Sequence, residues 1–212
     1  MDFNDFLNAV PKITNLTLPG ENAHFKMAPP ERKEAMKNRA LDLSEVRMAA
    51  IMMLIYPKNN QSHLALIKRA NYKGVHASQI AFPGGKLEYD DDSLLTAALR
   101  ETEEEIGISR NEVTVVCPFT DIYIPPSNFR VYPFLGYCQH TPAFDPDMRE
   151  VEAMVEYPIS ALLDDHFMLN INMATSYSEL ATVPAFKRDE NVIWGATAMM
   201  LSELKDVLKT VL

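Results

Sequence analysis

The sequence predicts a mixed α/β (α+β) domain, and two observations lead there. Short apolar runs with strand character alternate with amphipathic stretches of helical period, in an order that is neither all-strand nor all-helix. With 47% hydrophobic residues in 212, the chain can build one core of good size, and no repeat or low-complexity tract divides it.

The elements follow in chain order. Asp2 to Ala9 reads as a short helix and Pro19-Gly20 as a turn. Pro29-Pro30 precedes Glu31–Arg39, which has helical character with proline at its start. We take residues 1–45 as an N-terminal helical arm and 46–212 as the domain proper. Met48–Tyr56 is a buried strand ending at Pro57, and Leu64–Ile67 is its hairpin partner across Lys58–Gln61. A helix over Leu95–Ile106 is followed by strands near Val113–Val116, Ile122–Ile124 and Tyr132–Cys138. A Pro- and Asp-rich connection, Thr141–Pro146, leads to a strand at Glu150–Glu156 and a short helix at Ile159–Asp165. Asn191–Gly195 suggests a last strand, feeding a helix from Ala196 to about Lys209 through Leu201, Leu204 and Leu208.

Composition excludes several classes. A formal net charge of −9 argues against a general nucleic-acid binder, which draws affinity from clustered Lys and Arg. No apolar run is long enough to span a bilayer, and Met1–Asp5 lacks the basic and apolar regions of a secretory signal, so the expected location is cytoplasmic. Cys117 and Cys138 lie in apolar runs and read as buried free thiols; two cysteines cannot make a zinc finger. The methionines at 48, 52, 53, 199 and 200, like Trp194, read as core filler.

The chemistry is concentrated in Phe82-Pro83-Gly84-Gly85-Lys86-Leu87-Glu88 and Leu99-Arg100-Glu101-Thr102-Glu103-Glu104-Glu105-Ile106-Gly107-Ile108. Helical spacing sets an apolar stripe of Leu95, Leu99, Thr102 and Ile106 against Glu101, Glu104 and Glu105 on the opposite side. Like charges at i, i+3 and i+4 destabilise a helix by roughly 0.2–0.5 kcal/mol per pair, so three converging acids call for a counter-charge from outside. A hard divalent cation, Mg2+ or Mn2+, binding through carboxylates and substrate phosphate oxygens, is the natural one. Pro-Gly-Gly supplies a tight turn in which backbone can approach a phosphate, and Asp90, Asp91, Asp92 and Ser93 supply cap and dipole partners for the helix. An isolated E-x-x-E-E is ordinarily a solvated acidic face; the glycine loop before it favours a metal–pyrophosphate site.

These residues resemble the box of the Nudix hydrolases, G-x5-E-x7-R-E-U-x-E-E-x-G-U, with U a bulky aliphatic residue. Arg100, Glu101, Glu104, Glu105, Gly107 and Ile108 fall in register, with Thr102 at an aliphatic position. The first half departs: counting back puts Lys86 at the glycine and Asp92 at the glutamate, as if the loop carried one extra residue, so Glu88 or Asp92 replaces that glutamate, or neither does. Upstream, Leu64–Ala70 and Gly74-Val75-His76-Ala77-Ser78-Gln79-Ile80-Ala81-Phe82-Pro83-Gly84-Gly85 resemble the bacterial coenzyme A pyrophosphatase branch, with Ser78 where glycine is usual. Phe129–Gly136 and Ile193–Ala198 extend the likeness, which covers roughly residues 47–200.

The resemblance implies a mixed β-sheet between helices and metal-dependent hydrolysis of coenzyme A to 4′-phosphopantetheine and adenosine 3′,5′-bisphosphate. It implies Glu101 and Glu105 as metal ligands, Glu104 as third ligand or base, and Arg100 as the group that orients a glutamate. Arg69, Lys68, Lys73, His76, Gln79, Gly84 and Gly85 are the expected substrate contacts. Their bland readings are a strand end at the surface for one of Lys68 and Arg69, and a capping histidine for His76. The expected partner is a small nucleotide-type substrate, coenzyme A, with no nucleic acid and no membrane; a homodimer is an open alternative to a monomer. Other nucleoside diphosphate compounds (ADP-ribose, a nucleoside triphosphate, a dinucleotide, a nucleotide sugar) are the alternative substrates, and a non-catalytic nucleotide-binding regulator is the alternative class.

Overall fold

The longest apolar run in the chain becomes the strand on which both layers of the fold are built. The structure, a computed structural model, describes residues 1–30, 32–33, 46–70, 79–175, 178 and 180–212. The expected helix at 31–39 lies almost wholly outside them, as do Lys73, His76 and Ser78.

Arg47–Lys58 forms β1, buried on both faces as a near-continuous hydrophobic run requires. Ala49, Ile51, Met53 and Ile55 enter one core, while Ala50, Met52, Leu54 and Tyr56 enter the other, which is the strand period of two in plain form. β2 (Gln61–Arg69) returns antiparallel through Asn59 and Asn60, both at positive φ, as a two-residue hairpin loop demands. Pro57 does not end β1. It pairs with Ser62, one step back from the closing Lys58–Gln61 pair, where the alternating ladder needs no N–H from it.

On its other edge β1 runs parallel to β7 (Phe129–Tyr137), in register from Arg47↔Phe129 to Ile55↔Tyr137. A parallel pair needs a long crossover, and this one carries α3 (Leu94–Ile106), where α1 is Phe3–Thr14 and α2 is Glu21–Lys26. β3 (Ile80–Ala81) and β8 (Val151–Pro158) join β2, β4 (Gly84–Lys86) joins β1, and β5 (Thr114–Pro118) and β6 (Ile122–Ile124) join β7. After α4 (Ile159–Leu163), β9 (Met168–Met173), β10 (Ala181–Arg188) and β11 (Asn191–Trp194) make a second, three-stranded antiparallel sheet, and α5 (Gly195–Val211) closes the chain.

The result is the expected mixed sheet between helices. α3 covers one face through Ala97, Ala98 and Ile106, and α1 and α5 cover the other through Phe6, Ile13, Leu201, Leu204 and Leu208. The described residues of the N-terminal segment turn their apolar side into the core of the sheet. α1 starts where Asp2 accepts a hydrogen bond from the Asn4 amide (2.9 Å), and it runs past the expected Ala9, through Pro11, because Ile13 is the next residue of its buried stripe. Glu203 of α5 is fully buried and ties the layer together, accepting from the Gly20 amide (3.0 Å) and the Thr120 hydroxyl (2.6 Å), with His24 Nε2 3.2 Å away. Among the described residues no helix is long and apolar enough to cross a membrane. Cys117 and Cys138 are free; Cys117 is only half-buried, while burial pushes the Cys138 thiol up to about 11, so it stays protonated at neutral pH.

Candidate active site

β4 is a strand of two glycines and a lysine, and the space around it explains the glycines. A Cβ on Gly84, at φ +150°, would lie 2.4 Å from the Ala50 carbonyl oxygen and 2.6 Å from the Ile51 Cα. A Cβ on Gly85 would lie 2.3 Å from Glu101 Oε1. Backbone is therefore pressed against β1 at Gly84, which only glycine allows, and against a carboxylate of α3 at Gly85. α3 begins with Ser93 accepting from the Thr96 amide (3.1 Å) and ends at Gly107, in the left-handed region at φ +74°. Thr102, at the aliphatic position, is fully buried and donates its hydroxyl to the Ala98 carbonyl (2.7 Å), so the polar atom is satisfied inside the helix.

The three glutamates do not share one environment. Glu104 is exposed (58%), Glu101 is partly buried, and Glu105 is buried with only 2% of its side chain accessible. The expectation of three acids opposite the apolar stripe is corrected here: α3 packs on both β1 and β4, so its buried face is wide enough to take in Glu105 beside Thr102 and Ile106. The Glu105 carboxylate accepts from the Gly84 amide (2.8 Å) and lies 3.7 Å from Arg69 Nη1. Burial pushes Glu105 up to about 7, against the pull of that amide and of Arg69, and burial also raises Glu101, against the pull of Arg100.

Arg100 is the hub of the polar network. Its Nε and Nη2 donate to the two oxygens of Asp91 (3.0 and 2.9 Å), Nη1 donates to Glu101 (3.0 Å) and Glu104 (2.9 Å), and Nη2 also reaches the Lys86 carbonyl (3.0 Å). Asp91, 3% exposed, is held below the ordinary carboxylate range by Arg100 and takes a further hydrogen bond from the Glu88 amide (2.9 Å). Neither Glu88 nor Asp92 makes this contact: Glu88 faces the cleft and Asp92 is exposed. The acid that meets Arg100 across the lengthened loop is Asp91, which sequence counting passed over by one residue.

These groups border a cleft of about 760 Å³. Arg69, Gln79, Gly84, Gly85, Arg100 and all three glutamates line it. Lys68 does not; its ammonium is 2.5 Å from Glu152 at the surface, since successive strand residues face opposite sides and Arg69 is the one on the cleft. Lys73 and His76 lie outside the described residues. The opposite wall is apolar. Ala49, Ile51, Val131, Phe129 and Ile124 are cross-strand neighbours on one face of the sheet and form a floor, with Trp194 and Met200 beside it. Trp194 is thus a wall of the cleft, in place of the buried core residue expected from the sequence. Arg32 also lines the cleft and was not anticipated at all.

The donor set fits a hard divalent cation in its chemistry. Glu101 and Glu105 are carboxylates one turn apart that border the cleft, and burial raises both even with arginines beside them, so an added cation there would favour their anionic forms. Among the described residues no three His, Cys, Asp or Glu side chains are grouped so as to hold a metal ion by themselves.

The family profile described as NUDIX domain matches residues 46–179. A protein of Enterobacter sp. (strain 638), "Uncharacterized Nudix hydrolase NudL", is 31% identical over 153 residues, covering 70% of this chain and 73% of its own. A NudL of Yersinia enterocolitica is 32% identical over 143 residues, covering 66% of this chain and 71% of its own. Among solved structures, the Nudix hydrolase RenU of M. smegmatis superposes with a TM-score of 0.55 at 15% identity over 78% of this chain and 88% of that one. A MutT protein of Methanosarcina mazei Go1 gives 0.51 at 15% identity over 80% and 99%; at such identities these two show a shared fold.

Proposed function

We propose that this chain, which belongs to the Nudix family, hydrolyses the pyrophosphate bond of coenzyme A or its short acyl esters with Mg2+ or Mn2+ bound by Glu101 and Glu105. The observation that carries the reading is the segment from Gln79 to Gly85: its branch-specific residues Gln79, Ala81 and Phe82, and the glycines after them, all line the cleft that holds the box glutamates. Those relatives carry no substrate in their names, so the substrate rests on this segment.

The chain's own residues divide the work. Gly84 and Gly85 bring backbone close to the pyrophosphate, and Arg69 binds a phosphate oxygen remote from the scissile bond. Water attacks one phosphorus; its oxygen forms the new P–O bond while the bridging P–O bond breaks and the departing phosphate keeps the electron pair. Glu104, the most exposed of the three, takes the water's proton, while Arg100 anchors the rotamer of Glu101 from its fixed seat on Asp91. A divalent cation bound there lowers the pKa of water and offsets charge on the leaving phosphate.

A substrate panel with phosphate-release readout tests both levels. Coenzyme A is expected to give a higher kcat/KM than ADP-ribose, ATP or diadenosine polyphosphates, and excess EDTA is expected to abolish turnover. Equal efficiency across the panel would remove the coenzyme A reading and leave the Nudix chemistry; full activity in EDTA would remove the metal as well.

A further inference from the structure

The last helix turns its N-terminus toward the cleft. Gly195, Ala196, Thr197 and Met200 all border it, and the i, i+4 and i, i+3 spacing of Ala196 and Thr197 to Met200 puts these three on one face of α5. The first amides of an α-helix have no carbonyl a turn below them and need an acceptor from elsewhere. Here the flanking chain supplies none. Among the described residues no side chain caps α5, its first turn has no acid, and Trp194, at the capping position, carries an indole that can only donate. Room is left beside these amides, since a Cβ on Gly195 would meet nothing within 4 Å.

Thr197 gives an independent sign. It is only 9% exposed, yet among the described residues its hydroxyl has no hydrogen-bond partner. The reason is positional: Thr102 of α3 satisfies its hydroxyl on the carbonyl four residues back, whereas four residues back from Thr197 stands Ile193 of β11, outside the helix. Helix side chains lean toward the N-terminus, so the Thr197 hydroxyl stands beside the orphan amides at the cleft wall. A hydroxyl buried without a partner is costly, and one anionic oxygen would satisfy it and the amides together. We infer that the N-terminus of α5, through the Ala196 and Thr197 amides and the Thr197 hydroxyl, is an anion subsite that, on the reading of the cleft as a nucleotide pyrophosphatase, binds a phosphoryl group of the substrate away from the phosphorus under attack. Two groups carry that chemistry: the second phosphoryl of the pyrophosphate itself, and a phosphomonoester on the nucleoside half, as in coenzyme A.

Three variants test it. Thr197→Val removes the hydroxyl at nearly constant shape, Thr197→Ser keeps it, and Thr197→Asp places in the first turn a carboxylate that favours the helix dipole and competes with phosphate. Calorimetry with AMP and adenosine 3′,5′-bisphosphate measures binding without turnover, kinetics compares coenzyme A with dephospho-coenzyme A, and thermal unfolding reads the fold. Thr197→Val is expected to lose roughly ten- to a hundredfold in affinity, the range of one charge-assisted hydrogen bond, and to raise KM with little change in kcat. Thr197→Ser should stay near wild type. Thr197→Asp should keep or raise Tm while losing more affinity than the valine variant, which carries the test alone where the aspartate variant does not fold. A loss confined to the bisphosphate and coenzyme A assigns the subsite to the phosphomonoester; equal losses on both members of each pair assign it to the pyrophosphate. Wild-type affinity and KM in the valine variant, a loss in kcat alone, or a serine variant as impaired as the valine one would overturn the inference. If coenzyme A is not cleaved but the nucleotides bind and Thr197→Val weakens them, the coenzyme A reading fails and α5 keeps its role; if coenzyme A is cleaved and the variants match the wild type, the reverse holds.

Discussion

Gly85→Ala offers the sharpest separation of fold from chemistry. The added Cβ would lie 2.3, 2.4 and 2.6 Å from Glu101 Oε1, Cδ and Oε2, against an ordinary contact of 3.4 Å, so the carboxylate must retreat by about 1 Å. The atoms in its way are the end of a flexible side chain, so stability should fall by no more than about 1 kcal/mol, roughly 2–4 °C for a chain of this size. The chemistry is less forgiving: a displacement of about 1 Å in a positioned group can cost on the order of a hundredfold in rate. Gly84→Ala is the control of opposite character, because its Cβ meets backbone, the Ala50 oxygen and Ile51 Cα, at a φ that side chains rarely adopt. That variant should lose folding before activity can be judged. Thermal unfolding beside steady-state kinetics at saturating Mn2+ reads both. A Gly85→Ala enzyme with wild-type kcat, or one as unstable as Gly84→Ala, would refute the close seat of Glu101 on β4.

Three further outcomes follow from the same geometry. Glu105→Gln keeps an acceptor for the Gly84 amide, so the fold should survive while kcat falls roughly a hundredfold or more with the lost ligand charge; wild-type turnover at saturating Mn2+ would contradict the assignment. Arg69→Ala should raise KM for coenzyme A more than it lowers kcat, since the arginine is proposed to bind phosphate away from the reacting bond; equal effects would give it a role in the chemical step. Asp91→Asn, which leaves Arg100 without its two-oxygen seat, should cost about 1–3 kcal/mol and lower Tm by several degrees; an unchanged melting curve would make that pair incidental.

The elements legible in the sequence are those whose partners are built into their own pattern. β1 is a run too apolar to be anything but central, and the hairpin to β2 is set by two asparagines that tolerate positive φ. β9 and β10 were not anticipated. β9 has no buried residue, with Asn170 and Asn172 in its middle, and β10 carries Pro184; they are strands because they pair with each other and β10, through Ala185↔Trp194, pairs with β11. β3 and β4, two and three residues long, follow the same rule, since two glycines have no strand preference until β1 supplies the ladder. Trp194 illustrates the limit for side chains: its period marks an apolar surface but not whether that surface meets protein or substrate.

The box was legible as a motif, and its electrostatics were not. Counting residues left Glu88, Asp92 or neither in place of the box glutamate, and the structure adds that Asp91 is the acid that meets Arg100. The argument from mutual repulsion also needs revision, since the chain supplies counter-charge of its own: Arg100 bridges Glu101 and Glu104, and Arg69 stands near Glu105. Repulsion alone therefore no longer requires a cation. What accords with one is the burial of two of the carboxylates beside those arginines. Burial still holds Glu101 above the ordinary carboxylate range and Glu105 at about 7, against the pull of those arginines. Glu104 is exposed and needs none, which divides the triad into two carboxylates suited to hold a cation and one suited to meet water.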